Sequence, residues 1–370
     1  MEQRILRGRG SLSSVGELME QLHISRPLLV CAKWMAAKYP GTPAAHFDGY
    51  HPNPDFADCL AGAALYRASG CDGLISLGGG SSMDTAKGIK ALLTAETPEA
   101  AMKSQLNNSA LVPHIAIPGT AGTGSEATAV AVLYVDGQKL SLNHPGLVPD
   151  GAVLDGSLLD TLPDYHRKSC ALDALCQGVE SYWAAKATAD SRVHAARAIR
   201  GVLESITKYL AGDEAAADAM MEAAWESGRA IRTTATTAAH AMSYQITKKL
   251  GLAHGHACIT TLPALWERLL AEPSQAEVMA GLAELLGVER KEDAPKLVRG
   301  LVLDIDMTPG VSPDEAMLDY LMSTVNVERL SNHPERLTQA ELREIYAQSF
   351  TPMGDTDRMT CLEIWRRYGK

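Results

Sequence analysis

Short apolar runs bounded by glycine, proline and polar residues recur through roughly the first 155 positions: RPLLVCA (26–32), AAHFDGY (44–50), GLISLGGG (73–80), PHIAIPG (113–119), AVAVLYV (129–135) and GAVLD (151–155). Between them lie stretches with helical spacing, near 54–69, opened by PNPD, and near 82–94. That alternation predicts a mostly parallel sheet covered by helices. Past Asp160 the pattern changes. Alanine, leucine, glutamate and arginine dominate from Tyr165, and apolar positions recur every three and four residues over 169–184, 190–210, 214–231 and 235–249, which is helix periodicity in helix-forming residues. The expected architecture is an α/β domain over 1–160 followed by an all-α helical domain over 161–370, divided between Leu158 and Pro163.

Composition narrows the class. A length of 370 residues suits two domains of unlike architecture. With 46% hydrophobic and 21% charged residues, and no apolar run near the roughly eighteen residues of a membrane span, the chain reads as a soluble globular protein. The start, MEQRILRGRGSLSSVGELM, lacks the apolar core of a signal peptide, so a cytoplasmic location is expected. A formal charge of −10 without a basic block argues against nucleic acid and anionic membrane as partners. Seven cysteines, at 31, 59, 71, 170, 176, 258 and 361, are scattered and form no CxxC pair. They read as reduced, mostly buried thiols rather than a disulfide framework or a thiolate zinc site.

Two glycine-rich turns carry candidate chemistry. LISLGGGSSMDTAKGI (74–89) passes from a buried strand straight into a helix, which would leave backbone N–H groups aimed outward at a helix N-terminus, where the macrodipole favours a phosphate. The GxGxxG spacing is absent, so this is not the ordinary dinucleotide fingerprint. IAIPGTAGTGSEAT (115–128) repeats the logic one strand later, with hydroxyls at Thr120, Thr123 and Ser125. Two such turns at one edge of a parallel sheet would face a common nucleotide crevice; the alternative is two tight turns with capping hydroxyls.

Histidines concentrate in HAMSYQITKKLGLAHGHA (240–257). In DALCQGVESYW, Asp173 and Gln177 are four apart on one helix face, as are His240 and Tyr244 on a later helix, and His254 follows a GL where the chain should leave that helix. One carboxylate and two imidazoles, with the Gln177 carboxamide oxygen as a fourth contact, form a set suited to Fe²⁺ or Zn²⁺. Buried structural histidines near a helix end remain the competing reading. His256 is expected to orient a neighbour or to lie outside the ligand set, and His166 and His194 to lie on the surface.

GGGSSMDTAK, PGTAGTGSEAT, DALCQGVESYW and HAMSYQITKKLGLAHGHA together resemble, in order and separation, the iron-containing (group III) alcohol dehydrogenases, across about residues 26–343. The resemblance implies a dehydroquinate synthase-like fold with an N-terminal dinucleotide-binding domain and a C-terminal helical metal- and substrate-binding domain. It also implies a homodimer. By position, Asn53, Gly79, Gly80, Ser81, Thr120 and Thr123 are similar to the family's cofactor contacts, and Asp173, His240 and His254 to its metal ligands. Gln177 stands where the family has a histidine ligand, Tyr244 where it has a further active-site histidine, and Gly119 replaces the first threonine of PTTAGTGSE.

Several of these substitutions, with the LSNHPERLT tail (330–338), resemble a subset similar to phosphonoacetaldehyde reductases. The implied activity is NADPH- or NADH-linked, metal-dependent reduction of phosphonoacetaldehyde to 2-hydroxyethylphosphonate, with Fe²⁺ ahead of Zn²⁺. Lys139, Arg229 and Arg232 are candidates for pairing with an anionic substrate head. After the first long strand run, Cys31 and Ala32 leave no acidic barrier to a 2′-phosphate, and Lys33 is adjacent, so NADPH is expected to serve at least as well as NADH. Tyr244 and His254 are the catalytic candidates, with water or a cofactor hydroxyl as other proton sources. Two alternatives are a sugar-phosphate cyclase resembling dehydroquinate synthase and a nucleotide-binding protein with a decayed metal site.

Overall fold

The computed structural model describes residues 3–325 and 330–369. The chain forms two compact units, Met1–Leu162 and Pro163–Lys370. The first holds β1 (Arg4–Arg7), β2 (Pro27–Val30), β3 (Ala45–Phe47), β4 (Gly73–Gly78), β5 (His114–Pro118), β6 (Val130–Val135), β7 (Gln138–Asn143) and β8 (Gly151–Leu154). Six of them make a sheet in the order β1-β8-β5-β4-β2-β3, every pair parallel. Side-chain alternation explains the two buried faces. Leu28, Val30 and Leu74 join a core on one side, while Leu29, Cys31, Ile75 and Leu77 join a core on the other.

Two elements differ from the sequence expectation. AVAVLYV is a strand, β6, but pairs antiparallel with β7 as a separate hairpin. Asp136 and Gly137 at its turn both have positive φ (50° and 73°), the backbone of a two-residue turn that suits the twist of a hairpin. The second difference is β1, whose four residues are too short to show a period.

Chain order reverses at β2, which is followed outward by β3 and then, on its other side, by β4. In open parallel sheets the carboxyl ends of the strands flanking such a reversal are where ligands bind. Helix α1 (Val15–Gln21) precedes β2, α2 (Phe56–Ala68) precedes β4, and α3 (Gly80–Thr94) follows β4 without a loop. Gly78 makes that joint at φ 144°, and a Cβ there would lie 2.5 Å from Ser82 Oγ. A short α4 (Pro98–Met102) completes the helices of this unit.

The second unit contains no strand among its described residues. Its helices include α5 (Asp164–Trp183), α6 (Ala189–Leu210), α7 (Glu214–Thr234), α8 (Ala238–Gln245) and α9 (His254–Leu270). They continue through α10 (Ala276–Leu286), α11 (Asp293–Asp304), α12 (Glu315–Ser323), α13 (Gln339–Phe350) and α14 (Asp355–Tyr368). Helix α8 runs into one π turn (Ile246–Leu250) that Gly251 closes at φ 74°, so the chain leaves the helix at the GL pair. Among the described residues no helix is long and apolar enough to cross a membrane.

Candidate dinucleotide and metal sites

In the first unit the two glycine turns meet. Gly78 pairs with Pro118 across β4 and β5, and the Gly119 N–H donates to the Gly78 carbonyl (2.7 Å). A Cβ on Gly79 would lie 3.5 Å from Thr120 Cγ2, and one on Gly80 3.2 Å from Thr123 Cγ2. Asn53, at φ 57°, donates its backbone N–H to Ser81 Oγ (3.3 Å), bringing the PNP loop to the same turn. Behind them Lys87 is wholly buried and donates to Ser125 O (2.7 Å), Ser125 Oγ (2.9 Å), Thr128 Oγ1 (3.0 Å) and Val130 O (2.8 Å). This lysine therefore pins α3 to the chain that follows the second turn. Lys33 is exposed, three residues beyond the end of β2 at the same sheet edge. The cluster fits a dinucleotide phosphate: glycines leave a cradle that side chains would fill, a helix N-terminus opens into it, and buried Thr120 Oγ1 has no hydrogen-bond partner.

In the second unit three distant segments converge. Asp173 comes from α5, His240 from α8 and His254 from the first residue of α9. His240 Nε2 is 3.3 Å from Asp173 Oδ1, and His254 Nε2 is 3.8 Å from the same oxygen. Cys258 completes a group whose ligand atoms all lie within 4.8 Å of one another. Asp173 Oδ1 and His240 Nε2 are buried without a hydrogen-bond partner. Orphaned acceptors that face each other inside a protein are costly unless a cation or water joins them, so the residues fit a divalent ion.

The support for these ligands is as specific as the ligands. Glu180, fully buried on α5, accepts from Thr237 N (3.1 Å), Thr237 Oγ1 (2.7 Å) and Ala239 N (2.8 Å) at the start of α8. Its other oxygen bonds His240 Nδ1, fixing the tautomer that turns the Nε2 lone pair toward Asp173. The start of α9 is stitched to α5 by Ala253 N donating to Tyr165 Oη (2.9 Å) and His256 N donating to Ser169 Oγ (3.1 Å). Electrostatics follow from this crowding. Burial alone would lower the His240 imidazole, but the Cys258 sulfur, Glu180 and Asp173 outweigh it and raise its pKa. Burial alone would raise the Cys258 thiol, but His240 and His254 pull it down to about 7. A dication there would displace the protons these groups hold.

Several expectations need correction. Gln177, expected to offer its oxygen to the metal, accepts at that oxygen from Ser227 Oγ (2.8 Å) and bonds Asp173 through its side chain. Cys258, read as one of the reduced, mostly buried thiols, lies in the ligand group, and the i, i+4 spacing from His254 was its available signal. His194 is buried at 5% exposure and bonded to Glu226, not a surface residue. Arg229 and Arg232, the candidates for pairing with an anionic substrate head, lie on α7. Ser227 and Thr234 turn the α5-facing side of α7 toward Gln177 and Ser181, which leaves both arginines on the opposite side. Arg229 there covers the Trp225 ring (4.9 Å). Lys139 belongs to β7 of the first unit. Tyr244 stacks its ring on that of His254 (centroids 6.5 Å apart, 19° between planes), and His256 Nδ1 is 3.1 Å from Tyr165 Oη.

The model of the iron-containing alcohol dehydrogenase family matches residues 2–156, and that of the C-terminal domain of the Fe-containing alcohol dehydrogenase family matches residues 169–350. A phosphonoacetaldehyde reductase of Streptomyces viridochromogenes is 33% identical over 322 residues, covering 80% of this chain and 81% of the relative. The chain belongs to the iron-containing alcohol dehydrogenase family. Another relative of this iron-containing alcohol dehydrogenase, probable alcohol dehydrogenase EutG of Salmonella typhimurium, is 30% identical over 307 residues, 80% of this chain and 77% of that protein. Among solved structures, sulfoacetaldehyde reductase from Bifidobacterium kashiwanohense in complex with NAD+ matches with a TM-score of 0.87 at 26% identity, covering 94% of this chain and 97% of that one. This iron-containing alcohol dehydrogenase is therefore an enzyme of the NAD-linked alcohol dehydrogenase and aldehyde reductase class. The dehydrogenase reading, rather than the ring-closing or decayed one, is what these matches carry.

Proposed function

We propose that this enzyme reduces a small anionic aldehyde, phosphonoacetaldehyde, to 2-hydroxyethylphosphonate, with NADPH or NADH and a divalent metal. The observation that carries the metal-dependent reading is the pair of partnerless buried atoms, Asp173 Oδ1 and His240 Nε2, beside His254. When bound, the ion supplies Lewis-acid polarisation of a carbonyl and the reduced nicotinamide supplies hydride. Asp173, His240 and His254 would hold Fe²⁺ or Zn²⁺. Glu180 holds His240 in its tautomer, and Gln177 holds Asp173. Tyr244, packed on His254, is the proton donor to the product oxygen through its Oη. Asn53, Gly79, Gly80, Ser81, Thr120 and Thr123 receive the dinucleotide, with Lys33 beside the ribose that distinguishes NADPH. The protein is a cytoplasmic homodimer in this reading.

Support for the substrate comes from two relatives named for two-carbon aldehydes with an anionic head, phosphonoacetaldehyde and sulfoacetaldehyde reductases. The test is a panel of phosphonoacetaldehyde beside neutral aldehydes of equal length, run with NADPH and NADH, in Fe²⁺, Zn²⁺ or chelator. Two charge-assisted hydrogen bonds to the head correspond to a preference of roughly a hundredfold in kcat/KM for the charged aldehyde. Chelator should remove turnover, and NADPH should match or exceed NADH. Equal rates on charged and neutral aldehydes would reject the substrate while leaving the family intact.

A further inference from the structure

We propose that Cys258 is the fourth metal ligand of this chain, so that the ion is held by Asp173, His240, His254 and a thiolate. The inference rests on the metal-dependent reading above and concerns which atoms make the site.

A tetrahedral ion needs four donors, and Asp173, His240 and His254 provide three. Gln177 is already engaged on both ends, its carboxamide oxygen accepting from Ser227 Oγ and its side chain bonding Asp173. Cys258 follows His254 by four residues on α9, hence on the same helix face. Its sulfur is 3.9 Å from His254 Nε2 and 4.0 Å from Nδ1, and the Cys258, Asp173, His240 and His254 ligand atoms all lie within 4.8 Å. Metal bonds of about 2.0 Å to nitrogen or oxygen and about 2.3 Å to sulfur imply tetrahedron edges near 3.3–3.5 Å. The edges of 3.3 and 3.8 Å from Asp173 Oδ1 to the two imidazoles match that figure or exceed it slightly, and the 3.9 Å from the sulfur to His254 Nε2 requires the set to contract around an ion.

The neighbouring Cys176 is a contrast within the same fold. It is equally buried, on α5, yet is not part of the ligand group. Burial of a cysteine is thus not what places Cys258 there; its position one turn along α9 from His254 is. A sulfur donor also alters metal preference. Thiolate favours Zn²⁺ and similar borderline ions over Mg²⁺ and Mn²⁺, and two anionic ligands neutralise the dication, leaving a weaker electrophile than an all-imidazole and carboxylate set.

The experiment uses the full-length protein stripped of metal and titrated anaerobically with Co²⁺. The expected result is one cobalt per chain with a near-ultraviolet sulfur-to-cobalt charge-transfer band. Cys258→Ser should remove the band and weaken metal binding by at least about tenfold, since even the partners of ligands cost that much. Cys176→Ser and Gln177→Ala should keep the band. Where Cys258→Ser folds poorly, Cys258→Ala takes its place, with the same loss of the band expected. Stoichiometric cobalt without the band, or a band that survives Cys258→Ser, overturns the ligand assignment and leaves the metal reading standing. Absence of any stoichiometric cobalt overturns both.

Discussion

Glu180 shows how a single buried carboxylate organises chemistry it does not perform. One oxygen caps the start of α8 through Thr237 and Ala239, and the other holds His240. Burial would raise its pKa, but His240 and Thr237 outweigh this and keep it ionised below the ordinary carboxylate value. Glu180→Gln preserves size but turns an amide toward Nδ1, favouring the tautomer with hydrogen on Nε2 and spoiling a metal lone pair. Metal affinity, measured by chelator competition, should fall about 10–100-fold; unchanged affinity would show that His240 needs no such support. In the sequence Glu180 stands seven residues, two turns, after Asp173 and so shares its face. It passes for a solvated helix residue there because nothing local marks its burial.

Between elements, the decisive contact is α9 on α5. Gly255 follows His254, and a Cβ at Gly255 would lie 1.9 Å from the Ser169 carbonyl oxygen and 2.8 Å from Asp173 Cβ. Neither obstacle can rotate away, since one is backbone and the other is rooted beside a ligand. Gly255→Ala should push the start of α9 off α5, separating His254 from Asp173, at a stability cost of about 1–3 kcal/mol. Calorimetry should show a lowered thermal midpoint together with reduced metal content per chain; retention of both would mean the helices tolerate a wider approach. The sequence offered AHGHA here without saying which helix the glycine meets. The hairpin of β6 and β7 was read as part of the parallel sheet although it carried a local signal. Its Asp-Gly turn signals antiparallel pairing locally, whereas an apolar run by itself is the same whichever partner it takes.

Across the molecule, buried charge in the first unit sets a pH dependence independent of the metal. Glu126 is 1% exposed. Burial pushes its carboxyl up to about 7, a backbone hydrogen bond and the Lys87 charge offsetting this only in part. The folded chain keeps this proton up to about pH 7, while the unfolded chain releases it near the ordinary 4.5. The contribution is therefore fully present below about pH 4.5 and is lost as pH rises through 7, on the order of a few kcal/mol at most. Glu126→Gln should flatten that part of the pH profile of the thermal midpoint between pH 5 and about 7.5. An identical slope in the two proteins would show that Glu126 is not the group responsible.

Periodicity and turn chemistry are local properties, so the chain alone specified strands in its first half, helices in its second, the change of architecture near residue 160 and the two glycine joints. Ligand identity was partly local too, because Asp173, His240 and His254 stand in recognisable surroundings. Packing settled everything that depends on which face meets which: that Cys258 and Glu180 turn toward His240, and that Gln177 turns to Ser227. These are relations between helices tens of residues apart, and a helix face carries no label for the neighbour that will cover it.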